Sequence, residues 1–272
     1  MADLLGLEGA QDRIGESWEF STLDGSTSRA LGKPLAEVLG RPLSFLAKLI
    51  DTSAPLSVQV HPRDGLIAGA LGKEEAWVIL EAADGAHIYA GLREGVTADM
   101  FRVCVDEAID DVERGDRVLA ALTQVPVRPG MVVLVPAGTV HAIGPGILLA
   151  EIQQPTDCTF RFYDYGSKRP IHPARAFEAL EALSRPQVWT PTEGPKSIVG
   201  EHLELAPLLA GGHDVTANGG DVLLIPVHDG VTVRVDGDEH TLTRGALRLL
   251  AEGGHMRVTV PERGVAILGA LP

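Results

Sequence analysis

Pro55-Leu56-Ser57-Val58-Gln59-Val60-His61-Pro62 is the stretch from which the fold is read. Leu56, Val58 and Val60 fall on one parity, Ser57, Gln59 and His61 on the other. Alternation at period two predicts a strand with one apolar face and one face carrying a hydroxyl, an amide and an imidazole. Pro62 cannot donate to a sheet ladder, so the strand ends just past the histidine. Downstream, Lys73-Glu74-Glu75 leads into an apolar strand over 76–80, and Val132-Val133-Leu134-Val135-Pro136 leads through Ala137-Gly138-Thr139 to His141. Two histidines and a glutamate on separate strands, with Gln59 as a candidate fourth donor, make a mixed N/O set suited to a divalent metal. By residue type alone a strand histidine is as readily a hydrogen-bonded core residue, and spacing does not choose between the two.

At 272 residues the chain can bury a sizeable core and hold one large or two ordinary domains. A hydrophobic content of 45% with 31 Gly and 18 Pro suits a turn-rich globular protein and excludes a disordered one. The formal charge of −14, without a basic run, argues against nucleic-acid binding. Cys104 and Cys158 have no Cys-x-x-Cys spacing and read as free thiols in a reducing compartment. The opening residues 1–8 lack a cationic start and a long apolar run, which predicts no secretory leader. No window approaches an apolar span of about 18 residues, so no membrane helix is expected. A cytoplasmic protein is the expectation.

Short strands are predicted at 15–23, 45–50 and 86–91, and a brief helix over 34–40 with Pro at its start and Gly at its end. Apolar spacing of three and four over 97–122 predicts a helical insert, as helices 97–103 and 106–122 with a break at Gly115. Strands resume at 125–128, 131–136, 147–154 and 158–164, and a helix is predicted over 173–183. The Pro-rich segment 185–197 marks a boundary between domains at 1–185 and 186–272. Beyond it, strands at 221–226, 231–235, 239–243, 255–260 and 265–268 predict a small sandwich or barrel.

Five motifs in order carry a resemblance: Pro55–Asp64, Leu71-Gly-Lys-Glu-Glu-Ala-Trp77, Val135-Pro-Ala-Gly-Thr-Val-His-Ala-Ile143, Glu151-Ile-Gln-Gln-Pro-Thr-Asp-Cys-Thr-Phe-Arg-Phe-Tyr-Asp164 and the pair Gly15–Ser21 and Phe45–Asp51. Together they resemble class I mannose-6-phosphate isomerases, most closely the short bacterial branch, over residues 15–180. The resemblance implies a mainly β protein of the cupin type (double-stranded β-helix, or jelly-roll) with a short helical insert and a second cupin-like β domain without a metal. It implies one Zn2+ per chain, with His61, Glu75 and His141 as ligands and Gln59 in the place of a further one. Glu75 is preferred to Glu74 because it completes the family's Lys-x-Glu pattern with Lys73. Lys73, Ser57, Glu151 and Arg161 match residues that line the family's substrate pocket, Arg161 being the one usually given a catalytic role; the candidate catalytic residues are Arg161, Lys73 and Glu151, and the candidate substrate-binding residues Ser57, Lys73 and Arg161.

The implied reaction interconverts mannose 6-phosphate and fructose 6-phosphate through a cis-enediol. Residue types agree with it, since moving a proton between neighbouring carbons builds charge on a sugar oxygen that a divalent ion and a guanidinium offset. No Gly-rich phosphate cradle is present, so phosphate would fall to scattered cations such as Lys73, Arg161, Lys168 and Arg169. His87 reads as a satisfied strand residue. The expected partner is a small sugar phosphate, with no nucleic acid and no membrane, and the expected state a monomer or small homo-oligomer. Rival readings are a non-catalytic sugar-binding cupin, an isomerase of unphosphorylated sugars, and a metal-dependent cupin oxygenase, which would usually use more histidines.

Overall fold

The computed structural model describes residues 15–271, so the leader reading of residues 1–8 lies outside it. The chain enters through β1 (Glu16–Phe20), a small hairpin of β2 (Arg29–Ala30) and β3 (Lys33–Pro34), and α1 (Leu35–Leu39). Pro34 starts that helix and Gly40, at φ 72°, closes it, as the sequence predicts. Then come β4 (Leu46–Thr52), β5 (Val58–Val60), β6 (Glu75–Ala82) and β7 (His87–Leu92). The helical insert follows, as α2 (Ala98–Asp110) and α3 (Gly115–Ala120). After it lie β8 (Leu122–Pro126), β9 (Val132–Val135), β10 (His141–Ile143), β11 (Ile147–Gln153), β12 (Phe160–Tyr163), α4 (Pro173–Ala179) and β13 (Gln187–Trp189).

From β4 to β12, leaving aside β8 at an edge, successive strands go alternately to two facing antiparallel sheets. One has the order β1-β4-β11-β6-β9-β13 and the other β12-β5-β10-β7-β8. That alternation is the double-stranded β-helix. It sends every second side chain of β5 inward, so Gln59 faces the interior while Val58 and Val60 pack outward beneath Phe101 and Val105 of α2. The insert is thus the cover of the second sheet's outer face. Its break is not at Gly115: α2 runs unbroken through 104–105 and stops at Asp111, whose extended backbone leaves the helix and whose side chain accepts the Glu113 N–H to start a new turn.

The first sheet is buried on both faces. Trp77, Ile79, Val133, Val135 and Leu149 pack inward against Ile88, Ala90 and Ile143. Ala47, Leu49, Ala76, Val78, Leu80, Leu134, Ala150 and Ile152 pack outward against Leu205, Leu223, Ile225, Val265 and Ile267. Strands covered on both sides read as unbroken apolar runs, which is why Val132–Val135 shows no alternation.

The covering body is a third sheet built from β14 (Ile198–Val199), β15 (Glu204–Thr216), β16 (Val222–Pro226), β17 (Val231–Val235), β18 (Asp238–Leu242), β19 (Arg248–Leu250) and β20 (His255–Ala270). Here the structure departs from the reading above. No strand was expected over 204–216, where β15 runs, and the strands expected at 255–260 and 265–268 are one strand, β20. β15 and β20 pair along their length, with a register irregularity between Leu209 and Gly211. Pro261 and Gly264 look like a turn in sequence, but Arg263 takes a left-handed φ of 62° and the ladder continues past it.

Candidate metal centre

The candidate residues meet between the two sheets. On the second sheet His141 of β10 pairs with Gln59 of β5, and Gln59 pairs with Arg161 of β12. Paired residues share a face, so an imidazole, an amide and a guanidinium form one inward row. His61 follows β5 directly. From the first sheet Glu75, the first residue of β6, reaches across: its Oε2 lies 3.1 Å from His61 Nε2 and its Oε1 3.3 Å from His141 Nε2. Lys73 Nζ donates to Glu75 Oε2 at 2.7 Å and stands 3.1 Å from His61 Nε2. One ligand atom from each of His61, Glu75 and His141 lies within 4.8 Å of the others.

Both imidazoles are fixed from behind. His61 Nδ1 lies 3.0 Å from the Cys158 carbonyl and His141 Nδ1 2.9 Å from that of Thr139. A carbonyl accepts only from N–H, so each Nδ1 carries the proton and each Nε2 turns a lone pair toward Glu75. Burial, then the charge of Lys73, pushes His61 down to about 3, and burial likewise lowers His141. Burial alone would raise Glu75, but Lys73, His61 and His141 outweigh it and hold the carboxyl well below its usual range. Two neutral imidazoles and a carboxylate are the ligand forms a metal needs. Glu75 Oε1 is buried with no hydrogen-bond partner, an acceptor left open toward the cluster. The donor set fits a zinc-type ion.

The other predicted residues stand around this cluster at different removes. Gln59 turns its NH2 to His141 Nε2 at 3.2 Å, and its carbonyl accepts from Ser57 Oγ at 3.2 Å. Arg161 is half-buried, and its Nε has no hydrogen-bond partner. Glu151 accepts the Trp77 indole N–H at 3.0 Å, and the Trp77 ring meets His141 edge-on at 5.4 Å. Burial, then the charge of Glu75, raises the Glu151 carboxyl against the pull of Lys73 and Lys48. Arg169 is engaged by Asp164, at 2.6 and 2.8 Å. His87 bonds the Gly85 carbonyl and the Tyr89 hydroxyl, a satisfied strand residue as expected.

Two residues escaped the sequence reading. Lys48 is 4% exposed, with Nζ 3.5 Å from both Glu151 and Glu16 and set over the Trp18 ring. Its signal was a lone lysine in the apolar run Leu46–Thr52. Glu74 had no signal apart from its neighbour.

No family model matches the chain. A Bacillus subtilis protein named "Probable mannose-6-phosphate isomerase GmuF" is 32% identical over 217 residues, which are 70% of this chain. The chain spans 66% of that relative's length, just under two thirds. The crystal structure of a Bacillus subtilis mannose 6-phosphate isomerase superposes with a TM-score of 0.73 at 21% identity, covering 98% of this chain and 93% of the other. A mannose 6-phosphate isomerase bound with zinc and yttrium superposes at a TM-score of 0.67 and 15% identity, over 99% of this chain and 94% of that one. At such identities the structures speak to the fold, which is that of the cupin isomerases. The sequence relationship goes further, since the chain is similar over 70% of its length to a protein named as a mannose-6-phosphate isomerase.

Proposed function

We propose that the chain is a zinc-dependent aldose–ketose isomerase interconverting mannose 6-phosphate and fructose 6-phosphate. The observation that carries this is the convergence of two Nε2 lone pairs, the unpartnered Glu75 Oε1 and the Lys73 ammonium on one buried point. One ion per chain would be held by His61, Glu75 and His141, and by Gln59 once its amide turns its oxygen inward. Such an ion polarises a sugar oxygen and offsets the charge that gathers there.

The chain's own residues do the rest. Arg161, paired with Gln59 across β12 and β5, supplies positive charge beside the cluster in a planar fork. Lys73 and Glu151 are the groups placed to carry a proton between C1 and C2, Glu151 with a carboxyl tuned upward by burial. Ser57 holds the Gln59 amide. The substrate phosphate falls to Arg161 and Lys168, because Arg169 is spent on Asp164. The part before the boundary expected at 185, together with β13, which the first sheet takes in at 187–189, acts as the catalytic unit, and the rest of 186–272 as its metal-free support. Cys104 and Cys158 are both free, in keeping with a cytoplasmic enzyme, and none of the described helices is long and apolar enough to cross a membrane.

Turnover in deuterated water tests the reaction. Solvent deuterium should enter C1 of fructose 6-phosphate or C2 of mannose 6-phosphate over prolonged turnover. Complete retention of substrate hydrogen would refute the enediol route, and equal turnover of mannose and mannose 6-phosphate would refute the phosphorylated substrate.

A further inference from the structure

Glu74 adjoins Glu75 yet takes no part in the cluster. It is 2% exposed, and its carboxyl group reaches the loop before β15. There Oε1 accepts the backbone N–H groups of His202 at 2.9 Å and Leu203 at 2.8 Å, and Oε2 that of Glu201 at 3.0 Å. Gly200 completes the socket, since a Cβ on it would overlap the Glu74 carboxyl. The Glu74 backbone is tied as well: its N–H donates to Gln154 Oε1 at 2.8 Å, and its carbonyl accepts the Gln154 N–H at 3.1 Å. Nearby, His202 Nε2 lies 3.0 Å from Asp64 Oδ2, and Asp64 Oδ1 accepts the Gly72 N–H. Residues 72–74 are therefore gripped by the end of β11 on one side and by the loop 200–203 of the third-sheet body on the other.

The two arms of the metal centre differ in this respect. The imidazoles are set by the carbonyls of Thr139 and Cys158, within the jelly-roll that carries them. The carboxylate arm, Lys73 and Glu75, flanks a residue whose side chain is held by the other body. We propose that the third-sheet body positions the metal-binding carboxylate, the loop 200–203 holding Glu74 so that Glu75 and Lys73 face the two histidines. The inference rests on the metal-centre reading. Glu74 is on this account a positioning residue that touches neither metal nor substrate. Loss of its carboxyl leaves three N–H groups without an acceptor and frees the start of β6.

Co2+ titration, read by the visible absorption of the bound ion and by competition with a chelator, separates the possibilities. Glu74→Gln puts an NH2 against the N–H donors, and Gly200→Ala disturbs the same socket from the other half without touching the first sheet. Both are expected to weaken Co2+ binding about tenfold or more and to alter the absorption bands. Ile267→Val, in the apolar contact between the same bodies, is expected to lower the melting temperature while leaving Co2+ affinity and bands unchanged. Co2+ binding by Gly200→Ala equal to that of the unaltered chain, or equal weakening by Ile267→Val, overturns the positioning role. Should Glu74→Gln fail to fold, Gly200→Ala decides alone. Failure of the unaltered chain to bind Co2+ would instead overturn the metal-centre reading.

Discussion

Each histidine of the centre has its own carbonyl behind it, so no neighbouring group can take its place. His61→Ala or His141→Ala is therefore expected to lose both the bound metal and the activity. Metal analysis of the purified variants checks this: roughly one zinc-class ion per chain in the parent, close to none in the variants. Arg161→Lys keeps a charge but loses the planar fork, and a fall in kcat of about 10²-fold, with little change in metal content, is expected. Side-chain parity made most of this legible. Ser57, Gln59 and His61 share a face in sequence as they do in the fold. Glu74 and Glu75 are another matter, because adjacent identical residues differ only in direction. In the structure Glu75, the first residue of β6, turns inward to the histidines, and Glu74, just before the strand, turns to the loop 200–203. The family's Lys-x-Glu pattern chose between them. The carbonyls of Thr139 and Cys158 were beyond sequence reading, since a backbone partner leaves no residue type to recognise.

The elements that carry the site are held by local devices, some of them titratable. Where β12 ends, burial alone would raise Asp164, but hydrogen bonds from Arg169 and Ser167 outweigh it and hold its carboxyl below the usual value. Stability from a depressed carboxyl is present above its unfolded pKa, about 3.9, and is lost as pH falls through the folded value. Asp164→Asn should thus lower the melting temperature at pH 7 and make progressively less difference below about pH 4. A gap of constant size between melts at pH 7 and pH 3 would contradict this. The insert offers a second test at Gly115, where an added Cβ would overlap the Tyr163 hydroxyl, itself donating to the Val112 carbonyl at 3.1 Å. Gly115→Ala should destabilise the fold despite alanine's better helix propensity, by about 1–3 kcal/mol of overpacking, measured by denaturant unfolding. Local signals found the helices and the short strands. They failed over 204–216 and 255–270, because the long pairing of β15 with β20 is a tertiary fact and the Pro and Gly within it read as turns.

In the whole molecule the first sheet is the shared wall, lining the metal centre on one face and the contact with the third sheet on the other. Trp189 of β13 belongs to that contact, being 2% exposed within the shared core. A chain ending after residue 190 is therefore expected to aggregate or to expose an apolar face, detectable as dye binding and loss of soluble yield. A soluble, fully active fragment would argue that the second half is dispensable. The same wall has a consequence for how the protein is made. β20 pairs with β15, β16 and β17, so the third sheet lacks its central strand until residue 270 has been synthesised. At about 5–20 residues per second, the outer face of the first sheet waits on the order of 5–15 seconds at the ribosome after its last strand emerges. During that interval its apolar strands are open to nascent-chain chaperones and to neighbouring polysomal chains, and slow codons between residues 190 and 270 would prolong the exposure.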